Sequence, residues 1–250
     1  MIFAAGLGTR LKPITDHMPK AMVSVGGEPL IKHVIEKLKS AGTERIVVNV
    51  HHFATQITDY LKENNNFNTY IRISDESDKL LDTGGGIKKA QDLFDKEYPI
   101  LIHNVDILSN VDLKRFYEAG ISNSNMESTT VDAVLLVSER KTKRNLLFDN
   151  SMRLVGWTNI ETGEVRSPYP NLNPKDCKMY AFAGIHTISP RLFEMMDEDF
   201  PDKFGIIDFY LKACKSHIIK GYVKEDLKLL DVGKIDTLKE AEDFVQTRES

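Results

Sequence analysis

From Ile2 to Leu30 the chain reads IFAAGLGTRLKPITDHMPKAMVSVGGEPL, and the order of residue types in this stretch decides the fold. Ile2-Phe3-Ala4-Ala5 is a short apolar run of the kind found in buried strands of parallel sheets. Gly6-Leu7-Gly8-Thr9-Arg10 follows at once. Two glycines permit a sharp turn and a close approach of backbone to a ligand, because neither position carries a Cβ. Amide groups exposed in such a turn form an anion-binding concavity, to which Thr9 adds a hydroxyl. Arg10, Lys12 and Lys20 supply cations against one nearby carboxylate, Asp16, while Pro13 and Pro19 hold the segment out of a helix. The stretch reads as a rigid cationic loop leaving the carboxyl end of a first strand, suited to a polyphosphate. Two familiar phosphate loops do not fit. Leu11 stands where a dinucleotide fingerprint needs its third small residue and where a P-loop needs glycine.

Outward from this loop the periodicity changes repeatedly. Leu30, Ile31, Val34, Ile35 and Leu38 recur at helical spacing after Pro29, as far as Gly42. Arg45 to Val50 reads as a strand, Phe53 to Leu61 as a helix and Thr69 to Ser74 as a strand. This β-α-β-α-β run predicts a doubly wound sheet with ligands at the carboxyl ends of its strands. The expected class is three-layer α/β/α, Rossmann-like, with a mixed and mainly parallel sheet. Pro99 to His103 forms another strand, ending in Asn104-Val105-Asp106, where a carboxylate faces the phosphate loop and can hold a divalent cation. Val131 to Val137 is a further buried strand. From Ser138 to about Tyr180 the pattern becomes hairpin-like, a small β-rich insertion with turns at Asn150-Ser151 and Thr162-Gly163. Ser189-Pro190 starts a helix, and further helices are expected over 204–214 and 235–244.

Taken whole, Gly6-x-Gly8-Thr9-Arg10-Leu11-x-Pro13-x-Thr15, then Pro19-Lys20, then Val25-x-Gly27-x-Pro29-Leu30 resembles the signature of sugar-1-phosphate nucleotidyltransferases. The resemblance implies transfer of a nucleotidyl group from a nucleoside triphosphate to a sugar 1-phosphate with release of pyrophosphate. It places Arg10 and Lys20 in catalysis. Ala4, Ala5, Gly6, Gly8 and Thr9 would bind nucleotide, together with Asp82, Thr83, Gly84 and Gly85. The segment Leu81-Asp82-Thr83-Gly84-Gly85-Gly86 looks most like the branch that transfers uridylyl to N-acetylmuramate 1-phosphate, so UTP is the expected donor. Three glycines at a helix start are costly helix formers, roughly 1 kcal/mol each relative to alanine. They are read as letting the backbone reach a base edge, and a valine at Gly85 is expected to intrude on nucleotide while leaving the fold intact. His51 and His52 are candidate pocket walls.

By the same resemblance, Mg²⁺ would be held by Asp106 and by Asp231 of an Asp231-Val232-Gly233 motif far along the chain. The sugar side would use Asn104, Gly184 on the strand Tyr180 to His186, and Arg144 as the basic residue of the insertion. Transfer of guanylyl to mannose 1-phosphate, thymidylyl to glucose 1-phosphate or cytidylyl to phosphocholine are alternatives. A non-catalytic subunit of the same fold would be expected to lose Arg10, Lys20 or a metal aspartate, and all are present.

Composition is consistent with this reading. The chain has 250 residues, 41% hydrophobic and 28% charged, with net charge −4. These values suit one globular domain over 1–250 and give no nucleic-acid surface or polybasic membrane patch. The two cysteines, Cys177 and Cys214, have no metal spacing and fit a reducing cytoplasm. No apolar run reaches the length of a membrane span. A monomer or small homo-oligomer is expected. The strand begins directly at Met1, which suggests a missing N-terminal overhang. The end shortly after the last helix suggests a stand-alone catalytic domain.

Overall fold

The computed structural model describes residues 1–126 and 130–249. Its elements, in order, are β1 (Ile2–Phe3), β2 (Ser24–Val25), β3 (Glu28–Pro29), α1 (Leu30–Ser40), β4 (Arg45–Val50), α2 (Ala54–Glu63), β5 (Tyr70–Asp75) and α3 (Asp82–Ala90). Then come β6 (Ile100–Asn104), β7 (Ile107–Ser109), α4 (Leu113–Met126), β8 (Ala133–Ser138), β9 (Arg144–Phe148), β10 (Leu154–Asn159), β11 (Glu164–Arg166) and β12 (Lys178–Ile188). The chain closes with α5 (Phe193–Asp199), α6 (Ile206–Ala213), β13 (Ile219–Val223), β14 (Leu229–Asp231) and α7 (Asp236–Glu249).

The central sheet is mixed. β6, β1, β4 and β5 pair in parallel in that order. β12 runs antiparallel to both β6 and β8, and β13 lies parallel to β8. In this core only β12 is reversed, so the sheet is mainly parallel, as the β-α-β pattern predicts. β12 is long because it serves two sheets. Its last residues pair with β6, and its first, Lys178 to Tyr180, pair with β9 of the β9–β10–β11 meander. That meander is the β-rich insertion expected over 138–180.

Alternation along the parallel strands divides the core between two faces. In β4, Ile46 and Val48 join one apolar cluster with the α1 stripe Leu30, Ile31, Val34, Ile35 and Leu38. Val47 joins the other, with Ile87 of α3 and Phe209 and Tyr210 of α6. Each of the fully buried aliphatic side chains contributes roughly 1.5–3 kcal/mol of apolar burial. Helices therefore cover both faces, giving three layers. Pro29 proves to be the extended residue before α1 rather than its first turn. The stretch between β1 and β2 contains no α-helix, only single 3-10 turns at Thr9–Leu11, Ile14–Asp16 and Lys20–Met22. The arrangement delivers the 4–20 loop, the tip of β6 and the start of α3 to one edge of the sheet.

Candidate active site

The loop after β1 is held by its own residues. Gly8 has φ +64°, and a Cβ there would lie 2.8 Å from Thr15 Cγ2 and 3.2 Å from Lys20 Cβ. Glycine is therefore required at Gly8 both by its left-handed backbone and by crowding. Its carbonyl accepts from the Leu11 amide and from Thr15 Oγ1, each at 2.8 Å, and Leu11 is fully buried beneath it. Gly6 differs. It is exposed, and a Cβ on it would meet no protein atom within 4 Å. Lys12 pairs with Asp16 at 3.0 Å on the surface, whereas Lys20 is 7% exposed and its ammonium is paired with the Asp106 carboxylate.

The two aspartates expected to share a metal come together through a small second sheet. β7 pairs antiparallel with β14, setting Asp231 opposite Ile107, and the Val232 amide donates to Asp106 O at 2.8 Å. Asp231 Oδ1 is buried with no hydrogen-bond partner among the described residues. Gly233 explains why Arg10 belongs to this group. A Cβ on Gly233 would fall 2.6 Å from Asp231 Oδ1 and 2.7 Å from Arg10 Nη2. Arg10, Asp231, Asp106 and Lys20 thus form one cluster at the mouth of the Gly6–Gly8 loop.

Beside it, Gly184 interrupts β12 with φ +74° at a register shift between Phe182 and His186. A Cβ there would lie 2.9 Å from Asn104 Nδ2. Asn104 and Gly184 are therefore neighbours, which their separation in sequence does not reveal.

The start of α3 requires a correction. Its three glycines are buried and face protein rather than an open cradle. A Cβ on Gly84 would meet the Phe204 ring at 2.2 Å, and one on Gly85 the Asp202 carbonyl oxygen at 2.0 Å. The amides of Gly84 and Gly85 both donate to Phe204 O, at 2.9 and 3.2 Å. Backbone reach toward a base is thus not what these glycines provide, and a valine at Gly85 collides with the 202–205 segment. Asp82 takes φ +63° and accepts from the Thr83 amide at 2.6 Å, while Thr83 Oγ1 accepts from the Ile206 amide at 2.9 Å. The Ala4 amide is likewise taken, donating to Asn49 Oδ1 at 2.8 Å, while Ala5 is buried beside it. Thr9 is exposed at the head of its turn. Of the two histidines, His51 Nδ1 lies 2.6 Å from Glu76 O, and His52 packs at a tilt against Phe53, ring centroids 3.9 Å apart.

This geometry can be set beside known proteins. Residues 1–143 match the family described as nucleotidyl transferase. The chain belongs to that nucleotidyl transferase family. Over 108 residues it is 45% identical to an N-acetylmuramate alpha-1-phosphate uridylyltransferase of Caulobacter vibrioides, covering 42% of this chain and 44% of that protein. A protein of the same description from Neisseria meningitidis is 37% identical over 122 residues, covering 49% of this chain and 52% of that one. The chain spans about half the length of the curated relatives it matches. In fold it resembles a UDP-glucose pyrophosphorylase solved with UDP-glucose, with a TM-score of 0.77 at 19% identity over 99% of this chain and 97% of that one.

The insertion carries a second feature, a cleft of about 510 Å³ between the meander and α6. Arg140, Arg144 and Arg166 line it with Trp157 and Asp208. Arg166 is held by Asp208 at 2.5 Å and lies 4.3 Å over the Trp157 ring. Arg140 donates to Phe182 O at 3.1 Å. The Arg144 guanidinium makes no hydrogen bond or ion pair among the described residues. Arg144 lines this cleft, whereas Arg10, Lys20, Asp106 and Asp231 do not.

Proposed function

We propose that this nucleotidyl transferase joins UTP to a hexose 1-phosphate, N-acetylmuramate 1-phosphate in the first instance, releasing pyrophosphate. One observation carries the reading: Arg10, Lys20, Asp106 and Asp231 converge at the mouth of a loop whose Gly6 faces open space. The two uridylyltransferase relatives support the base and the sugar. In the reaction a phosphate oxygen of the sugar bonds to the α-phosphorus of UTP as the bond to the bridging oxygen breaks. The electron pair leaves with pyrophosphate, so the exchange balances without an oxidant, a reductant or a covalent enzyme intermediate.

Two polyanions must meet, so the chain's task is alignment and charge neutralisation. Arg10, exposed beside Gly233, would take the departing pyrophosphate as a planar fork. Lys20, fixed by its stem against Gly8, would face the phosphates beside Asp106. Asn104 and Gly184 would leave room for the sugar, and Arg144, with its guanidinium uncommitted, would take an acidic group on it. Asp106 and Asp231 would hold Mg²⁺, and the buried, unpartnered Asp231 Oδ1 fits that role. Magnesium commonly binds through one or two carboxylates completed by substrate phosphates, and when bound it offsets phosphate charge.

A panel of UTP, dTTP, CTP and GTP against N-acetylmuramate, glucose and mannose 1-phosphates, read by pyrophosphate release, tests the assignment. UTP with N-acetylmuramate 1-phosphate should be fastest. Faster turnover of GTP with mannose 1-phosphate would replace it with the guanylyl reading.

A further inference from the structure

Glu76 is fully buried, and the reaction above does not use it. Its two carboxylate oxygens accept from different elements. Asn49 Nδ2 donates to Oε1 at 2.7 Å, and the Leu81 amide donates to Oε2 at 3.1 Å. Asn49 in turn accepts the Ala4 amide on Oδ1 at 2.8 Å. The result is one chain of hydrogen bonds with an N–H donor at each end: Ala4 N–H to Asn49, Asn49 to Glu76, and Leu81 N–H to Glu76. It joins the residue that leads into the Gly6–Gly8 loop to the residue that leads into α3. The main chain fixes Glu76 as well, since its amide donates to Val50 O at 2.8 Å. A Cβ on Gly86 would lie 2.9 Å from Glu76 Oε1 and 3.1 Å from Asn49 Nδ2. The third glycine of the triplet is thus the wall against which this chain of bonds passes.

We propose that Glu76 and Asn49 are a pair of positioning residues that set the nucleotide-binding loop and the α3 entrance relative to one another. The proposal rests on the reading of that loop as the nucleotide site. With donors at both ends, the side chains between them must supply two more acceptor sites than donors: three acceptors (Asn49 Oδ1, Glu76 Oε1 and Oε2) against one donor (Asn49 Nδ2). A carboxylate at residue 76 and an amide at residue 49 do so. Glu76→Gln leaves a donor facing a donor, whichever way the amides turn. Asn49→Asp sets two carboxylates against each other. The exchange of the two, Asn49→Asp with Glu76→Gln, restores every bond. The carboxylate now at position 49 accepts from Ala4 and from the new amide at position 76, whose oxygen accepts from Leu81. An unsatisfied buried polar group is costly, so the singles should be impaired and the double should recover.

The test is a four-protein cycle of wild type, Glu76→Gln, Asn49→Asp and the double variant. Melting temperature is measured together with Michaelis constants for UTP and sugar phosphate and kcat. Each single variant should raise the UTP Michaelis constant about tenfold or more, with little effect on that for the sugar phosphate. The double should return it to within about threefold of wild type. Additive damage in the double, or singles indistinguishable from wild type, overturns the proposal. If a single variant fails to fold, recovery of folding in the double supports the pairing, and no recovery overturns it. A wild-type chain that releases no pyrophosphate removes the functional reading alone, since the melting cycle still decides whether the two side chains are coupled.

Discussion

At the scale of single residues, the site depends on charge placed where protein crowding leaves no alternative. Asp231 keeps a buried oxygen without a partner among the described residues, and Asp106 sits on Lys20. Replacing Asp106 by Asn keeps its shape and removes the charge, so turnover should fall to background while the chain still folds, with some loss of melting temperature because Lys20 loses its partner. Near wild-type pyrophosphate release from Asp106→Asn would contradict the role given to it. Gly233 offers a check on Arg10 and Asp231 together. A methyl at Gly233 must displace both the Arg10 guanidinium and the Asp231 carboxylate. Gly233→Ala should therefore lower kcat by about 10²-fold, the cost of losing one positioned donor at a developing charge. An unchanged kcat in Gly233→Ala would show that Arg10 does not act from that position.

At the scale of elements, α3 shows where sequence reasoning stops. The loop from Ile2 to Leu30 is legible because its constraints are local: Gly8 answers to Thr15 and Lys20, both within the same stretch. Strand β4 and helix α1 follow from periodicity, which local sequence carries. The glycine triplet misleads because Gly84 and Gly85 answer to Phe204 and Asp202, remote in sequence, and Gly86 to the side chains of Asn49 and Glu76, whose pairing no local pattern reveals. Glu76 carries no mark of its own among Asp75, Ser77 and Asp78. Asp106 and Asp231 are paired in the sequence only through family resemblance, since the β7–β14 ladder that joins them is short. The triplet yields a stability prediction. Gly85→Ala forces the 202–205 backbone to move and should cost about 1–3 kcal/mol as an overpacked contact. Urea unfolding measures it, and a loss below a few tenths of a kcal/mol would mean that the segment yields freely.

At the scale of the whole molecule, the two buried histidines of the sheet tie stability to pH. Burial lowers the pKa of His186 to about 3, and its ring lies 2.6 Å from the Tyr210 hydroxyl. Burial likewise lowers His103 to about 4. Both folded values lie below the unfolded value near 6.5, so the fold favours the neutral rings. Their stabilisation is complete above about pH 6.5 and is lost as pH falls from there toward 4 and 3. Each contributes a slope of up to about 1.4 kcal/mol per pH unit within its window. His186→Gln should flatten that acid limb in a denaturant series at stepped pH, and an unchanged slope would show that His186 does not titrate in the transition.

As proposed, the cluster joined by β7 and β14 transfers a nucleotidyl group rather than hydrolysing the triphosphate. Incubation with UTP labelled at the α-phosphorus, Mg²⁺ and N-acetylmuramate 1-phosphate tests this most directly. Label should appear in UDP-sugar in equal amount to pyrophosphate, and both should be lost in Asp106→Asn and Asp231→Asn. Label in UMP alone, or labelled sugar nucleotide still formed by both variants, would contradict it.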